Sequence, residues 1–137
     1  MTFKTFFAAA AIAVSSLFAV ALPASADTHN AARAFDVAEK PLDGSWSIET
    51  REDGAYIVLS DDFRTSNAPD LKIFLSQQDV NDVRDNTATN NAVLVSKLDS
   101  TSGAQEYKLP ADFSTDAYTS VLIHCEQFSV FWGGANL

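Results

Sequence analysis

From Pro41 onward, the chain alternates hydrophobic and polar positions in short runs. Leu71, Ile73 and Leu75, for example, share one face of an extended segment, because successive side chains of a strand point to opposite sides. Asp53-Gly54, between two such runs, is a strong hairpin signal. The pattern predicts an all-β fold, an antiparallel β-sandwich of about seven or more short strands.

The most apolar strand region runs from Val121 through Trp132 and ends at Gly133-Gly134. Two sets of apolar residues in it have opposite parity: Val121, Ile123 and Cys125 form one set, and Phe128, Val130 and Trp132 form the other. If both sets point inward, the chain must change phase around Glu126-Gln127. A β-bulge or a tight bend would do this, and such features often re-aim side chains beside functional sites.

Two segments lack a strand pattern. Residues 27–41 are expected to be a leader that is either loose or a short helix. Residues 77–91 form the longest irregular stretch and are rich in oxygen ligands, as a calcium loop would be. An EF-hand needs Gly at its sixth position and Glu at its twelfth, where this stretch has Arg84 and Asn90. We therefore expect a solvated loop here.

The amino terminus has the three-part order of a secretory signal peptide over residues 1–26. An apolar run follows a weakly positive start, Pro23 ends any helix, and Ala24-Ser25-Ala26 supplies the small residues of a cleavage site. A retained membrane anchor is the alternative, since the apolar run is nearly long enough to span a bilayer. Its alanine content and Pro23 favour cleavage of this signal helix after Ala26. The protein is then exported, to the periplasm or the exterior, with no stable membrane span left.

Charge and cysteine content narrow the function further. The net charge of −9 disfavours nucleic-acid binding, which needs Lys and Arg against phosphates. The single cysteine, Cys125, means that the exported domain is not built on disulfides. A lone thiol in an oxidising compartment is either buried and chemically inert, or exposed and functional. The motifs of serine hydrolases, zinc peptidases and phosphate-binding loops are missing, so a hydrolase or transferase is disfavoured.

His124 stands next to Cys125, which suggests a pair of metal ligands. Neighbours on a regular strand point to opposite faces, so the two cannot easily bind one ion. We expect a surface histidine here, and we predict no metal site.

Three blocks of the sequence resemble the DM13 domain family. The most specific contains Cys125-Glu126-Gln127-Phe128 within residues 121–137; the others are residues 68–75, with a Pro-Asp turn before a strand, and residues 103–110, with a Tyr-x-Leu-Pro ending. They occur in the family's order and identify residues 42–137 as a DM13-like β-sandwich domain.

The resemblance implies a secreted or surface domain, similar in style to DOMON domains, with a role in electron transfer or redox chemistry. Cys125 matches the family's characteristic cysteine, which would act as a free thiol or help to hold a prosthetic group such as haem. Phe128, Phe131 and Trp132 would supply an apolar pocket wall nearby. His124 stands where the family often has an aromatic residue, so no role is transferred to it. A haem site would also need a second axial ligand, which the sequence does not identify.

Two functions follow from these observations. In the first, the protein is a redox module that exchanges electrons through Cys125 with a redox or envelope partner. In the second, it is a non-catalytic β-sandwich that binds a small ligand or an envelope protein. The acidic loop at 77–91 and exposed aromatic residues would then form the contact surface, and Cys125 would only fill the core.

Overall fold

The computed structural model describes residues 31–137, so the predicted signal peptide, residues 1–26, lies outside the described chain. Eleven strands form within this range, and their bounds are β1 Arg33–Ala34, β2 Val37–Ala38, β3 Leu42–Asp43, β4 Ser45–Arg51, β5 Gly54–Leu59, β6 Arg64–Thr65, β7 Leu71–Ser76, β8 Ala92–Lys97, β9 Gln105–Lys108, β10 Ser120–Cys125 and β11 Val130–Asn136. The helical segments among these residues are single 3₁₀ turns at Val80–Asp82 and Glu126–Phe128. None of the described helical segments is long and apolar enough to cross a bilayer.

The strands form antiparallel sheets, which confirms the predicted fold class. One sheet has four strands in the order β1-β4-β5-β9, and the other has five in the order β2-β11-β10-β7-β8. Strands β3 and β6 form a separate two-stranded ladder. The Asp53-Gly54 signal is confirmed, because the chain reverses there between β4 and β5 and pairs Arg51 with Gly54.

The main core lies between the two large sheets. The alternating residues Trp46 and Ile48 on β4 are buried. They belong to one apolar cluster with Leu71, Ile73 and Leu75, which share a face of β7 as predicted. Burial of these side chains supplies the main stabilisation that a fold without disulfides requires, about 1.5–3 kcal/mol for each fully buried aliphatic or aromatic side chain.

A second, smaller core lies on the other face of the five-stranded sheet. Strand residues Phe74, Leu122 and Phe131 are buried there against apolar side chains of the 77–91 segment, namely Val80, Val83 and Ala88. The expectation of a solvated loop at 77–91 is therefore corrected. Its polar residues face water, while three apolar side chains cover the sheet from a stretch whose one regular element is the 3₁₀ turn at Val80–Asp82.

The predicted leader, residues 27–41, differs from expectation over its described part. Residues 31–41 are extended rather than helical, and β1 and β2 add strands to the edges of the two different sheets. The Trp46 indole Nε1–H donates to the carbonyl of Ala34 at 3.2 Å, and the Arg33 guanidinium stacks 4.4 Å from the centre of the Trp46 ring. These contacts give the short strand β1 its place beside β4.

The region from Val121 to Trp132 is a hairpin and not one strand. The 3₁₀ turn at Glu126–Phe128 separates β10 from β11, so a tight bend lies at the predicted phase change. The end of the hairpin is also corrected, because β11 continues through Gly133 and Gly134 to Asn136. A bulge follows, since Phe131 pairs with His124 while Gly133 pairs with Ile123, which leaves Trp132 as the extra residue.

Gly133 is required by the close approach of β2 at this bulge. A Cβ atom at Gly133 would lie 2.5 Å from the carbonyl oxygen of Val37 and 2.7 Å from Cδ2 of Leu42. We expect Gly133→Ala to lower the free energy of unfolding by about 2–4 kcal/mol, because strands β2 and β11 must separate to accept the methyl group. Urea unfolding of the purified variant measures this.

Gly103→Ala is the matched control for that measurement. Gly103 also has a positive φ, +87°, but a Cβ atom there would meet nothing within 4 Å. Its replacement adds backbone strain without a collision, at a cost of about 1 kcal/mol. Equal losses in the two variants would contradict the steric explanation for Gly133.

Candidate functional site

Cys125 is the last residue of β10, and its side chain is fully buried with 0 % exposure. Its parity along the strand matches that of Val121 and Ile123, so it points between the two large sheets. Directly opposite Cys125 are Leu71 on β7 and Val130 on β11. The thiol therefore lies inside the main core at one end of the sandwich.

The surroundings of Cys125 are apolar. It belongs to the main cluster together with aromatic and aliphatic side chains of both sheets. Reactive cysteines usually lie in partly exposed, electropositive surroundings, whereas buried structural cysteines are inert. The geometry of the closed domain is therefore that of a core cysteine.

A cleft opens at the surface close to Cys125. Its volume is about 310 Å³, and it is lined by residues of the loop before β7 and of the segment that follows β8: Asn67, Ala68, Leu71, Lys97, Leu98, Asp99, Ser100 and Thr101. Leu71 is both a lining residue of this cleft and the cross-strand partner of Cys125. Because the Cβ atoms of directly opposite residues lie about 5 Å apart, the wall of the cleft at Leu71 is one cross-strand neighbour away from Cys125.

The three aromatic residues proposed as a pocket wall do not lie together. Phe128 is in the 3₁₀ turn and is 62 % exposed, and Phe131 is buried in the second core. Trp132 alone shares the main cluster with Cys125, and its indole Nε1–H donates to Oγ1 of Thr65 at 2.7 Å. Strand alternation separates Phe131 from Trp132, and the turn carries Phe128 out to solvent.

His124 is the main correction to the sequence analysis of this region. It was expected at the surface, but it is only 2 % exposed, because the face of β10 opposite Cys125 is also covered. The prediction that the two side chains point to opposite faces is confirmed, since the His124 ring packs edge-on against Phe74 with ring centres 6.1 Å apart. No alternation pattern marks a strand that is buried on both faces, so sequence reasoning missed this site.

The electrostatics of His124 follow from its burial. Among residues 31–137, its buried Nδ1 has no hydrogen-bond partner. Desolvation lowers the pKa of His124 below the ordinary histidine value, and the negative charges of Glu126 and Asp85 oppose this shift. The neutral imidazole is therefore the form that fits the closed structure.

The tip of the β10–β11 hairpin is held by ionic contacts. Lys72, the partner of His124 on β7, forms ion pairs with Asp70, at 3.2 Å, and with Glu126. The backbone N–H of Glu126 also donates to the carbonyl of Asp70 at 3.1 Å. These contacts fix the turn that directly follows Cys125.

The residues present do not fit haem. Haem needs an apolar cavity and protein ligands on its axis, whereas the cleft beside Leu71 is lined largely by polar groups and the neighbouring imidazole of His124 faces the other side of the sheet. The described residues also contain no group of three or more His, Cys, Asp or Glu side chains placed to hold a metal ion.

Comparison with known proteins identifies the family. The model of the family described as electron transfer DM13 matches residues 34–137, which is most of the chain. The chain belongs to the DM13 family. The match includes β2 and most of the predicted leader, so the DM13 domain begins earlier than residue 42. No curated protein and no solved structure matches the chain.

The burial of the DM13 cysteine has a direct chemical test. A bulky maleimide should label Cys125 at least about a hundredfold more slowly in the native protein than in urea, because the thiol is enclosed on every side. Mass spectrometry of samples taken over time measures the two rates. Labelling of the native protein at the rate of a free thiol would contradict the closed geometry.

Proposed function

We propose that this chain is an exported electron-transfer module whose redox group is the free thiol of Cys125. Membership of the DM13 family supports electron transfer in general. The observation that supports Cys125 in particular is the cleft that ends at Leu71, directly opposite the thiol. Displacement of one leucine side chain connects this sulfur to solvent.

The size of the cleft favours a small reaction partner. A protein thiol reacts only where the attacking and leaving sulfurs can meet, and a cleft of about 310 Å³ is at the low end for a small-molecule site. We infer that the electron acceptor is a low-molecular-weight disulfide. Lys97 and Asp99, at the cleft wall, offer both signs of charge to a polar molecule of this kind.

The redox step is a thiol–disulfide exchange. The sulfur of Cys125 attacks one sulfur of the small disulfide, the S–S bond of that molecule breaks, and a mixed disulfide forms. The proton of the thiol leaves with the departing sulfur, so the second product is a small thiol. The sulfur of Cys125 is thereby oxidised from the thiol to the disulfide level, and the departing sulfur is reduced from the disulfide to the thiol level. A second thiol that cleaves the mixed disulfide regenerates Cys125 and completes the two-electron reduction of the small disulfide.

A second function is favoured by the complete burial of Cys125. In that case the thiol only fills the core, as free cysteines often do. The cleft beside Leu71 would then bind a small ligand or a segment of an envelope protein without chemistry. The two functions differ in whether native Cys125 reacts at all.

Oxidised glutathione serves as the probe of the redox function. We expect the native protein to form a mixed disulfide at Cys125 that dithiothreitol removes, with both steps followed by mass spectrometry. Leu71→Val should speed the reaction by about tenfold. The substitution removes one methylene group from the side chain at the wall of the cleft and so enlarges the path to the thiol. Leu75→Val is the matched control, since Leu75 is buried on the same face of β7 but does not line the cleft.

Three outcomes would overturn this proposal. One is a native protein that stays unmodified in the wild type and in Leu71→Val while the unfolded chain reacts, which supports the binding function instead. Another is equal acceleration in both valine variants, which traces the reaction to general unfolding. The third is a Soret band in the purified protein, which would assign Cys125 to haem.

A further inference from the structure

The 77–91 segment covers the outer face of the five-stranded sheet with few attachments. Four hydrogen bonds tie it to the sheet. Val80 N–H donates to Oδ1 of Asn136 at 2.9 Å, and Gln78 N–H donates to Oγ of Ser76 at 3.1 Å. Ser120 Oγ–H donates to the carbonyl of Gln78 at 2.7 Å, and Phe131 N–H donates to Oδ1 of Asp85 at 2.8 Å. The remaining contact is the packing of three small apolar side chains, Val80, Val83 and Ala88. Such a segment can open locally at less cost than the domain unfolds.

His124 lies under the edge of this segment. Its partner on β11 is Phe131, the residue whose N–H is bonded to Asp85, and its ring packs on Phe74 of the second core. Phe131 also lines a surface cleft of about 280 Å³, together with Val83, Arg84, Asp85, Asn86 and Glu39. Water therefore reaches the far side of Phe131, while the imidazole stays covered.

The charges around His124 come from each element packed against it. Lys72 on β7 is neutralised by Asp70 and Glu126, and Glu126 begins the turn after β10. Asp85 comes from the 77–91 segment, and Arg84 beside it is turned back to the carbonyls of Asn81 and Val83. Glu39, after β2, lies at the cleft. Glu126, Asp85 and Glu39 carry negative charge. They can stabilise a protonated imidazole only once water solvates both the imidazolium and the carboxylates.

We propose that protonation of His124 releases the 77–91 segment from the five-stranded sheet, so that acid uncovers the apolar face formed by Phe74, Leu122 and Phe131. The imidazole nitrogen Nδ1 is buried without a partner, and a second proton on the ring would place an unsolvated charge beside Phe74. Opening of the 77–91 segment lets water solvate the protonated ring. This pH-dependent opening does not depend on the chemistry of Cys125, which lies on the other face of β10.

The direction of the pH dependence follows from linkage. Burial lowers the pKa of His124 in the closed state, so the open state binds the proton more tightly. The closed state has its full stability above the ordinary histidine pKa of about 6.5 and loses it as the pH falls through the lowered value. The segment is thus closed at neutral pH and opens in mild acid.

Amide hydrogen exchange of the whole exported protein at pH 7.5 and pH 5.0 tests the proposal, with rates corrected for intrinsic exchange. The reporters are the amides of Val83, Asn90 and Phe131, which are hydrogen-bonded within or to the 77–91 segment. We expect their protection to fall at pH 5.0, by up to about thirtyfold, which is the limit set by an open-state imidazole with the ordinary histidine pKa of about 6.5. The amides of Leu75 and Ile123, in the central strands, should keep their protection.

His124→Phe is the decisive variant, because it keeps an aromatic ring against Phe74 and removes the titrating nitrogens. The pH-dependent loss of protection should disappear. Retention of the full loss in His124→Phe, or its disappearance in Asp85→Asn instead, would overturn the proposal.

A measurement on the unmodified protein covers the case in which His124→Phe fails to fold. The imidazole signals of His124 and the amide signals of the 77–91 segment are followed by NMR between pH 4 and pH 8. A shared midpoint below the ordinary histidine pKa of about 6.5 supports the coupling. Segment signals that do not move, or that move with a different midpoint from His124, contradict it.

Discussion

The structure depends on the complete burial of one strand on both of its faces. All six residues of β10 are buried, because the strand lies between β7 and β11 with a core on each side. Alternation then sends each pair of neighbours into different surroundings. Cys125 enters the space between the sheets, and His124, one residue earlier, enters the space under the 77–91 segment. The chemical difference between two adjacent residues is thus a consequence of strand geometry rather than of local sequence.

The sequence predicts the parts of the fold that follow a simple period. Residue spacing predicts which residues of β7 share a face, and it also predicts the turn at Asp53-Gly54 and the tight bend near Glu126. The closing block with Cys125 identifies the family. The structural features that the sequence does not predict depend on contacts between distant segments. Val80, Val83 and Ala88 sit in a polar stretch without periodicity, and only the sheet beneath them explains their burial. The same cover buries His124, whose neighbours in the sequence give no sign of it. The Trp132 bulge likewise arises from the pairing of β10 with β11.

A cysteine in a dry core and a role in electron transfer are compatible in this arrangement. Enclosure protects a lone thiol from oxidants, since oxidation follows exposure. In the proposed function, Leu71 at the wall of the cleft limits access to the thiol by size rather than abolishing it. The same enclosure keeps two protein molecules from joining through their only cysteine. The two faces of β10 therefore carry two independent groups. One face has a thiol that is shielded from solvent, and the other has an unsolvated imidazole.

Strands β1 and β2, only a few residues apart, belong to different sheets, and β2 pairs with β11 at the far end of the described chain. The second and last strands of the described chain thus pair with one another, and the short stretch that contains β1 and β2 contributes a strand to each sheet. Contacts of such large sequence separation form late in folding. If the chain crosses a membrane with its amino terminus first, the emerging part cannot complete its sheets until the final strand has followed. Assembly would then wait for the end of translocation, and chaperones on the receiving side would meet an unfinished sandwich in which β10 and β2 still lack their partner β11.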